Sequence, residues 1–175
     1  MEITLLRHAE SEYNKIGLLQ GRIDCNLSDE GIRQTRERVK SFDSSSYDVC
    51  FTSPLKRTLL TAQILVPNLP IICDDRIIER SLGDWEDTPT SDEKKFLLNN
   101  INSTPPNGES TLEITKRVEN FVEFLKDNYS DKRVLIVTHA GIVYAIQVAL
   151  GLEVKPINNL ETLTIDLENK HQIKR

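Results

Sequence analysis

EITLLRH, residues 2–8, is an apolar run that ends in two basic side chains. Its form recurs in YDVCFTS (47–53) and RVLIVTH (133–139), each a β-branched apolar stretch followed at once by a helix signal. PIICDD (70–75) is a fourth strand candidate, and LETLTIDL (160–167), with period-two alternation, is a fifth toward an edge. Helices are expected between them. Ser28 can cap DEGIRQTRERVKSF, with acids in its first turn and Ile32, Thr35, Val39 and Phe42 on one stripe. Ser53 can cap PLKRTLLTAQIL, with Pro54 at the first helical position. Ser110 and Glu113 form a capping-box pattern for TLEITKRVENFVEFLKDN, in which Ile114, Val118, Phe121, Val122 and Leu125 share a face. GIVYAIQVAL (141–150) is apolar nearly all round and is expected to be covered on most sides. Strands alternating with helices of this length predict an α/β protein, a three-layer α/β/α sandwich on a largely parallel sheet with room for an antiparallel edge strand. The polar stretch 85–107, with Pro89, Pro105 and Pro106 around EKKFLLNN, reads as a short lid insertion in a single domain spanning 1–175.

At 175 residues the chain is long enough for one well-buried domain and short for two. A net charge of -5 argues against a nucleic-acid surface, so an anionic ligand would need a local basic pocket. Cys25, Cys50 and Cys73 form no CxxC pair, and the apolar neighbours of Cys50 and Cys73 predict buried thiols, as in a reducing cytoplasm. The N-terminal apolar run is interrupted too early for a signal peptide, and no stretch is long enough to span a membrane. The expectation is a cytoplasmic protein whose partner is a small molecule, with neither nucleic acid nor membrane bound.

Three of the predicted strands end in groups able to bind or attack a phosphoryl group: Arg7 and His8, then Ser53 and Arg57, then His139. Ligands gather at the carboxyl ends of strands in α/β sheets, so these groups can converge. Arg57 stands near a helix start, where the macrodipole disfavours a cation but a bound anion is favoured by both the helix end and the guanidinium fork. His8 and His139 both precede a small residue, Ala9 or Ala140, which leaves room for a ligand. His171, in the polar tail, reads as solvated and idle. Glu79, in IIERSLGDWED (77–87), precedes Gly83 and Trp85, and a carboxyl beside an aromatic in a partly closed cleft has the raised pKa a general acid needs. It can equally pair with Arg76 or Arg80.

Taken in order, these segments resemble the histidine phosphatase superfamily, the phosphoglycerate mutase-like proteins. LLRHAESEYN resembles the opening L-x-R-H-G-x-[ST]-x-x-N, and LQGRIDCNLSDEGIRQ resembles the segment after it. FTSPLKRTLLTAQIL is similar to S-P-L-x-R-A-x-x-T-A, IIERSLGDWED to L-x-E-x-x-x-G-x-W-E-G, PPNGEST to P-x-G-E-S, and VLIVTHAGIV to V-x-H-G-G. The resemblance covers nearly the whole chain.

It implies a two-step phosphoryl transfer with no metal or other cofactor, in which two arginines and a second histidine supply the charge neutralisation. His8 would be the nucleophile and carry a phosphohistidine. Arg7, Arg57 and His139 would hold the phosphoryl oxygens, and Asn14 would add a hydrogen bond. Glu79 would protonate the leaving alkoxide and then activate water. Gln20 and Gly21 fall where the family contacts the rest of the substrate. Four small-residue departures stand out: Ala9, Thr58, Ala140 and Asp87 replace an expected glycine, alanine, glycine and glycine. Alanine at position 9 costs strain if its φ must be positive.

The modest insertion favours a phosphomonoester hydrolase over a mutase, which must keep water from phosphohistidine. A non-catalytic phosphate-binding module is the alternative outside enzymes. A cysteine phosphatase is disfavoured, because six residues separate Cys50 from Arg57 and the cysteine sits inside a strand. CDDRII supplies no D-x-D for an aspartyl-phosphate route. Acidic groups at Asp84, Glu86, Asp87, Asp92 and Glu93 mildly disfavour bisphosphates. The oligomeric state is left open.

Overall fold

The computed structural model describes residues 1–169 and 171–173. Strand β1 (Glu2–Arg7) leads into a short helix α1 (Glu12–Ile16), then α2 (Asp29–Val39), β2 (Val49–Thr52), α3 (Lys56–Leu65) and β3 (Ile71–Cys73). Helix α4 (Asp92–Leu98), α5 (Thr111–Asn128), β4 (Val134–Thr138), α6 (Ala140–Ala149), β5 (Thr162–Asp166) and β6 (His171–Ile173) complete the order. The strands form one sheet in the order β3-β2-β4-β1-β5-β6. The first four lie parallel, β5 runs antiparallel to β1, and β6 antiparallel to β5.

Alternation along the strands explains the layers. Ile3 and Leu5, Val49 and Phe51, and Val134 and Ile136 face one side, where they meet Ile114, Val118, Phe121, Val122 and Leu125 of α5 and Ile142, Val143 and Ile146 of α6. Leu6, Cys50, Leu135 and Val137 face the other side and meet Ala62, Leu65 and Val66 on and after α3. Helix α5 begins as its sequence predicts. Ser110 Oγ accepts the Glu113 N–H at 3.2 Å while the Glu113 carboxylate accepts the Ser110 N–H at 2.8 Å. Ser110→Ala is expected to cost about 1 kcal/mol, read as a fall of about 2–4 °C in the thermal midpoint.

Several elements differ from the sequence expectation. Helix α2 stops at Val39, which is exposed, so Phe42 lies beyond it and packs on Tyr47 instead. Helix α3 starts at Lys56 rather than at Pro54, and Leu55 is its N-cap. Ser53 does not cap it, because its hydroxyl is bonded to the His139 ring and to the Leu55 N–H. The short helix α1 has its own capping box, built by Ser11 and Asn14. The polar tail adds β6, so β5 is one strand in from the edge and exposed His171 pairs with Asp166 in the ladder. Cys50 is buried as expected, but Cys73 is exposed, since β3 is the other edge.

The segment from Trp85 to Asn107 is stitched to the rest of the chain rather than lying loosely over it. The Leu19 N–H donates to Thr88 O, the Asp87 N–H to Leu19 O and the Thr90 N–H to Gly17 O, each at 2.9 Å. On its far side Tyr144 Oη donates to Asn99 O at 3.0 Å, and the buried Arg80 guanidinium donates to Leu98 O and Ser103 O. None of the described helices is long and apolar enough to cross a membrane.

Candidate active site

Strand β4 lies between β1 and β2, and the register places Arg7 opposite Thr138 and Thr52 opposite Val137. The residues that follow these strands therefore emerge side by side, and the His8 and His139 ring centroids are 5.2 Å apart. Both imidazoles are buried. Burial, reinforced by the Arg57 guanidinium nearby, holds both rings well below the ordinary histidine value, so both are neutral at pH 7. His8 Nδ1 lies 2.6 Å from Ala9 O; a carbonyl only accepts, so Nδ1 carries the proton and Nε2 keeps a free lone pair. Asn159 Nδ2 donates to His8 O at 2.7 Å, and the Ala9 N–H donates to Thr61 Oγ1 at 3.1 Å.

The two arginines are tethered by backbone carbonyls. Arg57, 1% exposed, donates to Gly21 O and Ile23 O at 2.8 Å, and Arg7 donates to Ile157 O at 2.9 Å. Neither makes an ion pair with a carboxylate among the described residues. Arg7 Nε, Arg57 Nε and His139 Nδ1 are all buried without a hydrogen-bond partner. Nearly every buried polar group in a folded protein is satisfied, and two of these exceptions belong to Arg7 and Arg57, which both line one cavity. Helix α6 also starts here, with Ala140 and Gly141 on the cavity wall, and a helix N-terminus favours an anion.

The cavity measures about 360 Å³ and is lined by Arg7, Asn14, Gln20, Gly21, Arg57 and Glu79, with apolar walls from Leu18, Leu82, Leu98 and Ile114. Asn14 Oδ1 accepts the Ser11 N–H at 3.2 Å, which leaves its amide NH₂ as a donor toward the cavity. Gln20 Oε1 accepts from Ser11 Oγ at 2.8 Å. Gly21 (φ 51°) serves through its backbone: a Cβ there would meet Glu86 Oε1 at 2.2 Å, and its carbonyl holds Arg57. Glu79 pairs with neither Arg76, which is taken by Asp74, nor the Arg80 guanidinium. Its carboxyl accepts the Arg80 N–H at 2.8 Å and the Gly141 N–H at 3.4 Å, and burial raises its pKa. The aromatic on this wall is Tyr144 rather than Trp85.

The arrangement presents a free ring nitrogen, a buried carboxyl that stays protonated above the usual range, and two guanidiniums with no carboxylate partner among the described residues. Of the eight predicted residues, Glu79, Arg7, Arg57, Asn14, Gln20 and Gly21 line the cavity, while His8 and His139 are buried side by side at the ends of the strands next to it. Cys50 is no rival nucleophile, since burial pushes its thiol up to about 12. Among the described residues no three His, Cys, Asp or Glu side chains stand grouped to hold a metal ion.

The family model described as "Histidine phosphatase superfamily (branch 1)" matches residues 3–169. The chain belongs to the histidine phosphatase superfamily. Curated relatives of this histidine phosphatase include the "Uncharacterized phosphatase PhoE" of Bacillus subtilis, 36% identical over 82% of this chain and 74% of the relative. "Phosphoserine phosphatase 1" of Hydrogenobacter thermophilus is 32% identical over 86% of this chain and 76% of its own length. The solved α-ribazole phosphatase of Shigella flexneri superposes with a TM-score of 0.82 at 26% identity, covering 100% of this chain and 95% of that one. The family and its phosphatase relatives indicate a hydrolase acting on phosphate esters.

The departures from the family pattern sort themselves by geometry. Ala9 is fully buried without a positive φ, so the strain considered for it does not arise. Asp87 does sit at φ 60°, in the left-handed region that its expected glycine would occupy without cost. Thr58 spends its hydroxyl on Ser53 O and Leu55 O at the start of α3. None of the five acids of this stretch lines the cavity: Glu86 accepts the Leu82 and Arg22 N–H groups, Asp84 takes Asn107, and Lys95 stands on the cavity wall.

Sequence reasoning missed Ser53 as a partner of His139 (2.8 Å), Thr61 beneath Ala9, and Asn159 beneath His8. Asn159 reaches His8 across 151 positions, and no local pattern announces such a contact.

Proposed function

We propose that the chain hydrolyses a small phosphomonoester through a phosphohistidine on His8, with Glu79 as proton donor and then base. The carrying observation is the trio of buried nitrogens without partners, Arg7 Nε, Arg57 Nε and His139 Nδ1, beside a neutral imidazole with a free Nε2. In the first step His8 Nε2 forms a bond to phosphorus as the ester P–O bond breaks, and Glu79 gives its proton to the departing oxygen. Arg7, Arg57, His139 and Asn14 take up the charge on the phosphoryl oxygens. In the second step water attacks phosphorus, the N–P bond breaks, and the water proton passes to Glu79. Glu79 must be protonated for one half and ionised for the other, which its raised pKa serves. The reading includes a cytoplasmic setting, a single domain over 1–175 and no cofactor. The relatives named phosphoserine and α-ribazole phosphatase bracket the kind of substrate, and the apolar walls of the 360 Å³ cavity favour an alcohol portion with some hydrocarbon surface.

The pH profile of kcat/KM on an alkyl phosphate, taken with excess EDTA, tests this. Activity requires Glu79 protonated, so it should fall toward alkaline pH as Glu79 ionises. It requires His8 neutral, so the acid limb should lie well below 6.5, where burial and the two arginines hold that ring. The profile should be unchanged by the chelator. An acid limb near 6.5 that is not accounted for by the ionisation of the phosphate ester itself, or loss of turnover with EDTA, would overturn the scheme.

A further inference from the structure

The backbone that carries Glu79 belongs to no strand or helix, since residues 79–82 lie outside regular structure. Something other than a ladder must fix it. The bonds to the Glu79 carbonyl come from two guanidiniums that arrive from distant segments: Arg22 Nε at 3.1 Å and Arg117 Nη2 at 3.3 Å. Arg117, on α5, also donates to Arg76 O at 2.6 Å, so one side chain spans both ends of the segment 76–79. Glu109 holds both cations. Its carboxylate takes Arg117 Nε at 2.7 Å, Arg117 Nη2 at 2.9 Å and Arg22 Nη2 at 3.3 Å, and it accepts the Ser81 N–H just beyond Glu79. The Arg117–Glu109 pair is largely buried, with side chains 17% and 12% exposed, and fork-to-carboxylate contacts of this kind are rigid.

We propose that Arg117, locked by Glu109, is a positioning residue that aims the Glu79 carboxyl at the departing oxygen. The inference rests on the reading of Glu79 as proton donor. Arg117→Met or Arg117→Lys leaves the carboxyl group in place chemically but frees the backbone that points it. Proton transfer falls off steeply with misplacement, so the cost should appear only where a proton is needed. A p-nitrophenolate leaves without one, whereas an alkoxide does not.

The test is kcat/KM, which reports the chain of steps up to transfer onto His8, for p-nitrophenyl phosphate and for an alkyl phosphate. The proteins are the wild type, Arg117→Met, Arg117→Lys, Glu109→Gln and Glu79→Gln. Arg117→Met should lose about 10- to 100-fold on the alkyl ester and less than about 3-fold on the nitrophenyl ester, with Arg117→Lys and Glu109→Gln between it and wild type. Should Arg117→Met not fold, as judged by thermal melting, the two milder variants carry the comparison. Equal losses on both substrates, or none, would overturn the proposal. If Glu79→Gln itself fails to discriminate between the esters, the proton-donor reading falls with it. If Glu79→Gln discriminates and the Arg117 variants do not, only the positioning role is lost.

Discussion

His8→Ala is expected to reduce kcat/KM on p-nitrophenyl phosphate by roughly 10⁴-fold or more, the scale on which removal of a covalent nucleophile acts. The ring is buried with Nδ1 committed to Ala9 O, which leaves Nε2 for the attack. His139 is the only other imidazole there, and its Nε2 is bonded to Ser53. Thermal melting checks that the variant folds, since truncation of a buried ring opens a cavity and frees Ala9 O. A matched experiment reads the chemistry directly: wild type quenched with base during turnover of labelled substrate should retain label, and His8→Ala should retain none. Residual activity within tenfold of wild type would rule out the covalent route.

Arg57→Lys should cost about 10²- to 10³-fold in kcat/KM, the loss typical when a donor to developing negative charge is removed. The charge survives this substitution, so the effect measures geometry. Arg57 uses two nitrogens to grip Gly21 O and Ile23 O and keeps Nε as a buried donor without a partner. A lysine ammonium has one nitrogen and cannot span both carbonyls while facing a phosphoryl oxygen. Competitive inhibition by inorganic phosphate should weaken in parallel. A variant that keeps wild-type phosphate affinity would show that Arg57 serves only to tie the 21–23 loop to α3.

The sequence made the sheet legible because parallel strands are buried on both faces and leave uninterrupted apolar runs, as at residues 2–7, 49–52 and 134–138. The same runs end at their polar groups, so His8, Arg7 and His139 could be placed on one rim before any coordinates. Helix α5 was legible from its capping box and stripe. Helix ends were harder. Ser53 looked like a cap because Ser-Pro often is one, yet its hydroxyl bonds a ring 86 positions away. The supports of the site were illegible for the same reason: Asn159, Arg117 and Glu109 act through backbone carbonyls or carboxylates of other segments, and such contacts leave no periodicity. The direction of the acidic lid residues was illegible because composition gives charge without orientation, and none of them lines the cavity.

The hydrogen bond between His8 Nδ1 and Ala9 O has a regiochemical outcome. It blocks the ring atom nearest the main chain, so in the proposed cycle a single regioisomer of the modified histidine forms, substituted at the remote nitrogen. The enzyme thus chooses its intermediate's connectivity through one carbonyl of its own backbone, which no side-chain replacement deletes.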